Sequence, residues 1–187
     1  MDIEGLQKQK VGMVFGSDTG ATEEIALSII QKCTFWDIEV KDVQTLSKHD
    51  PFFFERFDVI ILGLSTWYDG DLQSDWEDYY EEFMTIDFTG KTVAIFGLGD
   101  QFGYDDYFID GVGMLAKVIL QNGGELIGSW SVKCYDFTES KALLDEETFY
   151  GLALDEDNQP GLTNERLDQW IAQLQSELKK IGHLATA

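Results

Sequence analysis

Short apolar runs alternate along this chain with longer segments whose apolar residues recur every three or four positions. The runs Val11 to Phe15, Ile38 to Val43, Phe57 to Leu64 and Thr92 to Phe96 predict strands, and a last strand around Leu126 to Val132 is expected to resume near Phe149 to Leu154. Most of them are apolar throughout rather than alternating, the pattern of strands covered on both faces of a parallel sheet. Helices are predicted between them over Thr22 to Cys33, Ser74 to Met84, Asp105 to Gln121 and Thr163 to Ile181. In the third, Phe108, Val112, Leu115 and Ile119 share a face. In the fourth, Leu167, Trp170, Ile171, Leu174, Leu178 and Ile181 form one stripe behind Thr163 as N-cap.

Alternation of this kind predicts an α/β fold in three layers, a doubly wound parallel sheet of five strands with helices on both faces and right-handed crossovers. Lys133 to Thr148 fits no strand-helix unit and reads as a long inserted loop. A chain of 187 residues, 44% hydrophobic, is long enough for one substantial core, so a single domain over residues 1–187 is expected.

Charge narrows the partners. With 35 acidic against 13 basic residues the net charge is −22, which repels nucleic acid and anionic lipid and favours basic protein partners. Cys33 and Cys134 have no metal-like spacing, and a reducing, cytoplasmic setting is expected. The stretch MDIEGLQKQK lacks the apolar core of a signal peptide, and no run approaches the ~20 apolar residues of a membrane span.

In an open α/β sheet ligands bind beyond the carboxyl ends of the strands. Three such ends stand out: Gly16-Ser17-Asp18-Thr19-Gly20-Ala21-Thr22, Ser65-Thr66-Trp67-Tyr68-Asp69-Gly70, and Gly97-Leu98-Gly99-Asp100-Gln101-Phe102-Gly103-Tyr104. The first leads into a helix, where backbone N–H groups and hydroxyls can hold a phosphate by hydrogen bonds alone. No Lys or Arg lies between Val11 and Gln31, so a P-loop that transfers a phosphoryl group is excluded. Taken alone, this loop is equally compatible with a simple helix cap. The other two loops carry Trp67 and Tyr104, a pair suited to stacking on a flat ligand, and a phosphate site beside an aromatic slot points to flavin mononucleotide (FMN).

Together with LQSDWE after Gly70 sequence-wise and the late GLALDEDNQ, these three loops resemble those of long-chain flavodoxins, from about Lys10 to Ile181. The resemblance implies the strand order 2-1-3-4-5, with a long-chain insertion in the last strand. It also implies an electron-transfer protein rather than an enzyme. Ser17, Asp18, Thr19, Gly20, Ala21 and Thr22 would wrap the FMN phosphate, Trp67 and Tyr104 would stack on the two faces of the ring, and the backbone of Tyr68, Asp69 and Gly70 would face flavin N5. Gly99, Asp100 and Gln101 would bond the pyrimidine edge through their backbone, with Leu98 and Gly103 in the same loop. Ser65, Thr66 and Asp157 are assigned by position as ribityl or loop contacts. Family members often have Pro where this chain has Ser65, and Gly where it has Cys134.

Nine acidic residues and no Lys or Arg lie between Phe57 and Gly90, and four more acids between Thr92 and Ala116. A negative field disfavours the anionic reduced flavin, which implies a low potential for the second electron. A backbone carbonyl near Tyr68 or Asp69 accepting from protonated flavin N5 after a peptide rotation would separate the two one-electron steps, which implies a shuttle between neutral semiquinone and hydroquinone. The expected partners are basic redox proteins, such as an NADP-dependent ferredoxin/flavodoxin reductase and acceptor enzymes, met by a monomer. The main alternative is an FMN-dependent NAD(P)H:quinone reductase of related fold, though no added segment is devoted to a second substrate. A phosphorylated receiver domain would leave the aromatic pair idle. Gly111-Val112-Gly113 falls inside a predicted helix, which removes the dinucleotide reading, and Pro160 and Arg166 spoil a calcium loop beginning at Asp155. His49 and His183 receive no role.

Overall fold

The computed structural model describes residues 8–184. Most of the amino-terminal stretch read for a signal peptide, and the side chain of His183, lie outside the described residues. The chain runs β1 (Gln9–Phe15), α1 (Ala21–Lys32), β2 (Trp36–Asp42), α2 (Leu46–His49), β3 (Val59–Trp67), β4 (Asp71–Leu72), α3 (Ser74–Phe83) and β5 (Thr92–Leu98). It continues with α4 (Asp110–Gln121), β6 (Glu125–Ile127), β7 (Trp130–Ser131), β8 (Thr148–Phe149), β9 (Leu152–Leu154) and α5 (Thr163–Leu184).

The main sheet has the order β2-β1-β3-β5-β6, all parallel, and β9 also pairs with β5. β6 lies along Thr92 to Ala94 and β9 along Phe96 to Leu98, so the two are halves of one fifth strand, interrupted by the insertion. The expected five-stranded order is thus realised. The expected loop runs from Lys133 almost to Thr148, and the short antiparallel pair β7–β8 brackets it.

Strand side chains alternate between two cores, as pleating requires. Val11, Met13, Val59 and Ile61 face α1 and α5, where Ile25, Ile29, Leu167, Trp170 and Leu174 close over them. Val14, Ile60, Leu62 and Leu64 face the other layer, which is rich in rings: Phe53, Phe54, Phe57, Trp76, Phe83, Phe88 and Phe108. Burial of each such aliphatic side chain contributes roughly 1.5–3 kcal/mol, so both layers are needed to hold the sheet. The edge strand β2 is only half covered, in keeping with its alternating Asp37, Glu39 and Lys41.

Two helix starts differ from expectation. α4 begins at Asp110, not Asp105, because Ile109 adopts a left-handed conformation with φ 50°, which turns the chain. Phe108 therefore precedes the helix and packs on Tyr135, Phe137 and Phe149 from the insertion side. Thr163 opens α5 with helical backbone angles, and its hydroxyl donates to the Glu156 carboxylate instead of capping the helix. Cys134 has φ 74°, the left-handed region that favours glycine, which accounts physically for the Gly common in this place.

Candidate functional site

The carboxyl ends of β1, β3, β5 and β9 converge on a cleft of about 260 Å³. A larger cleft of about 670 Å³ adjoins it at Trp67, lined by Asp18, Tyr68, Asp71 and Ser74, and clefts of about 570 and 620 Å³ lie elsewhere, but this one gathers residues from all four strand ends.

Thr19, Ala21 and Thr22 form its first wall, at the amino end of α1. Gly20, with φ 93°, is the residue before the helix, and its N–H donates to Ser17 Oγ at 3.0 Å. Ser17 thus shapes the loop from within. Asp18 is turned the other way: Gln73 Nε2 donates to it at 3.0 Å, and the Ser74 hydroxyl and N–H donate as well. Desolvation pushes the Asp18 carboxyl up, but these donors outweigh it and hold it below the ordinary carboxylate value. Gln73 is fully buried at the start of α3, where its Oε1 accepts from Trp76 N–H. It ties the first loop to the third helix. Sequence reading missed it because Gln is not a common cap; its one signal was its place before the helical run SDWE.

Ser65, Thr66 and Trp67, at the end of β3, form the second wall. Trp67 Nε1 donates to Ser65 Oγ at 2.9 Å, which orients the indole. Thr66 Oγ1 accepts from Gly111 N–H at 3.0 Å, fastening the strand end to α4. Beyond them Tyr68, Asp69 and Gly70 make a tight turn closed by Gly70 N–H to Trp67 carbonyl at 3.1 Å. Tyr68 sits at φ 44°, a strained conformation for a residue with a side chain, and Gly70 at φ 91°, which glycine adopts freely. These three residues lie beside the cleft, not among its lining residues.

Leu98, Gly99, Asp100 and Tyr104 complete the cleft with Glu156 and Asp157. Desolvation raises the Asp100 carboxyl, but Gly103 N–H, Asn158 Nδ2 and Phe102 N–H donate to it and bring it below the ordinary value. Gln101 is buried away from the cleft: its N–H and Nε2 donate to Asp155 at 3.2 and 2.6 Å, and its Oε1 accepts from Asp136 N–H. Gly99 N–H is likewise engaged, with the Leu154 carbonyl. Gly103 is exposed just outside the lining. Glu156 is the one wall residue that sequence reading did not name; its neighbour Asp157 in DEDNQ was the signal.

None of the lining residues is Lys or Arg. Among the described residues, the hydroxyls of Thr19 and Thr22 make no hydrogen bond, although Thr22 is only 1% exposed, and no cluster of His, Cys, Asp and Glu suits a metal ion. Helix-end N–H groups, idle hydroxyls and two rings from different strand ends suit a phosphorylated, flat ligand.

A doubly wound α/β sheet with such a cleft beyond its strand ends defines a protein of the flavodoxin-like fold. The sequence profile of the family described as "Flavodoxin" matches residues 13–170, and the chain belongs to that family. It is 46% identical over 169 residues to a flavodoxin of Klebsiella pneumoniae, covering 90% of this chain and 94% of that one. It is 45% identical over 168 residues to flavodoxin 1 of Escherichia coli K12, covering 89% and 93%. A crystal structure of Fusobacterium nucleatum flavodoxin bound to flavin mononucleotide superposes with TM-score 0.84 at 31% identity, over 90% of this chain and 98% of that one.

Proposed function

We propose that this protein is a low-potential one-electron carrier that holds FMN without a covalent bond and alternates between the neutral semiquinone and the hydroquinone. The observation that carries the proposal is the cleft itself, which sets the unbonded Thr19 and Thr22 hydroxyls at the amino end of α1 across from Trp67 and Tyr104. Trp67 and Tyr104 both line this cleft from different strand ends, and Trp67 lies tilted against Tyr68 with ring centroids 6.1 Å apart. In this role the α1 end and its hydroxyls receive the phosphate, Trp67 and Tyr104 flank the ring, and the Tyr68–Gly70 turn meets its edge.

Strain in that turn supports a switch. Tyr68 is held at a strained φ of 44° next to a turn ending in the permissive Gly70, and a carbonyl of this turn rotated towards the ring would accept a hydrogen bond from a protonated flavin nitrogen in the reduced states only. Such a contact separates the two one-electron steps. The acids around the cleft, Asp69, Asp71, Asp100 and Asp157 among them, disfavour the anionic hydroquinone and lower the second potential.

Tyr68, Phe102 and Tyr104 are 62%, 60% and 42% exposed at the rim of this acidic surface. An apolar centre with acids around it suits brief docking of a basic reductase or acceptor, faster at low salt. The insertion that splits the last strand supports placement in the long-chain branch. We place the protein in the cytoplasm as a monomer; its free thiols, Cys33 and Cys134, fit a reducing setting.

The test is the visible spectrum of the FMN-loaded protein during stepwise reduction. A blue neutral semiquinone that accumulates before bleaching is expected. Direct passage to the two-electron form would contradict the carrier role.

A further inference from the structure

Asp110 opens α4 with its side chain only 1% exposed, and it is not among the residues that line the cleft. Both of its carboxylate oxygens are held by one residue of the insertion. Lys141 N–H donates to Oδ1 at 2.7 Å, and the Lys141 ammonium lies 2.8 Å from Oδ2. This pair sits against Gly70: a β-carbon placed there would stand 2.7 Å from Asp110 Oδ2 and 3.3 Å from Lys141 Nζ. A left-handed glycine with a buried carboxylate and its half-exposed lysine partner against its Cα has little room to move independently of that pair.

The surrounding backbone explains how a residue so far along the chain arrives there. A β-carbon on Gly113 would collide with the Lys141 carbonyl, so glycine at 113 lets the insertion lie flat on α4. Gly111, two residues earlier, gives its N–H to Thr66 at the end of β3. Gly111-Val112-Gly113, whose spacing resembles a dinucleotide fingerprint, instead forms the track by which the insertion reaches the strand end. Ser140 fixes the approach by donating its hydroxyl to the Phe108 carbonyl.

We infer that Asp110 and Lys141 are a positioning pair through which the insertion sets the charge and the stiffness of the Tyr68–Gly70 turn, and thereby the redox potential of the site. The inference rests on the proposed flavin site. Its physics is short-range: Asp110 is out of water, so its charge is poorly screened, and Lys141 offsets it beside a turn whose glycine has the acids Asp69 and Asp71 as its chain neighbours. Without the ammonium, a buried anion would remain beside the turn, held by one backbone N–H.

The experiment is potentiometric titration of the full-length, FMN-loaded protein and three variants, with melting temperatures measured alongside. Lys141→Gln should lower the potential of the second electron, because the site becomes more negative. Asp110→Asn should raise it. Lys141→Arg, which keeps the charge, should recover most of the wild-type value. A pair that merely braced the fold would lower the melting temperature in both neutral variants and leave the potentials in place. Lys141 is 52% exposed, so its substitution tests the inference even if Asp110→Asn fails to fold. Unmoved potentials in FMN-loaded Lys141→Gln, or shifts of the same sign in the two neutral variants, would overturn the inference alone. A wild-type protein that takes up no FMN would overturn the flavin reading and this inference with it.

Discussion

The loops after β1 and β5 line one cleft, yet they dispose of their polar groups in opposite ways. Around the second, Asp155 is fully buried and accepts from Gln101 N–H, Gln101 Nε2, Asn158 N–H and Asn158 Nδ2 at 2.6 to 3.2 Å. Asp100 is similarly occupied by Phe102, Gly103 and Asn158. In the first loop, Ser17 and Asp18 shape the turn, while Thr19 and Thr22 keep hydroxyls that no described residue engages. Polar groups with internal partners make a rigid wall. Polar groups left open at a helix start suit a receptor, and none of the residues lining this cleft is a cation.

The largest effect that sharpens this contrast belongs to the wall. Asp155→Ala removes the acceptor of four N–H groups, of which the two on Gln101 are buried and the two on exposed Asn158 can turn to water, and should destabilise the apoprotein by roughly 3 kcal/mol, since each buried donor left unsatisfied costs about 1–3 kcal/mol. Chemical denaturation reads this directly. A loss below about 1 kcal/mol would break the contrast. Thr22→Val is next and should act oppositely: apoprotein stability barely moves, while FMN affinity falls about tenfold or more, the worth of a charge-assisted hydrogen bond. Fluorescence titration with FMN measures it.

Behind the wall, the Cys134 carbonyl accepts from Gln159 Nε2 at 3.0 Å while its own residue is held at φ 74°. Cys134→Gly relieves that conformation and should stabilise the protein by up to about 1 kcal/mol, whereas Cys134→Ala should not; thermal melts separate the two. The smallest effect is acid sensitivity of the first loop. The Asp18 pKa is depressed in the fold, so its stabilising bonds are fully present above the unfolded carboxylate value of about 3.9 and are lost as pH falls through the lower folded value. Asp18→Asn should flatten that acid limb by slightly lowering the neutral-pH melting temperature towards the value the wild type reaches in acid, and should change little below the folded Asp18 pKa.

Such contrasts show which features a sequence carries. Val59 to Leu64 and Thr92 to Leu98 are covered on both faces, so their apolar runs announce central strands. Trp67, Tyr104 and the hydroxyls of Thr19 and Thr22 stand at strand ends, where local order suffices to bring them together. The start of α4 was hidden because the apolar spacing runs on through Ile109, whose left-handed φ has no signature in a β-branched residue. Gln73, Asp155 and Lys141 were hidden for another reason: each acts on a residue 31 to 55 positions away. Those partners become neighbours only once the sheet has formed.

The central claim is a phosphate receptor built from backbone and hydroxyls alone, and titration of the apoprotein with FMN and riboflavin at rising salt tests it most directly. FMN should bind far more tightly than riboflavin. Its affinity should hold or improve as salt screens the −22 background, because no loop cation contributes an attraction to be screened. Equal affinity for the two flavins, or a steep loss of FMN binding with salt, would contradict the account.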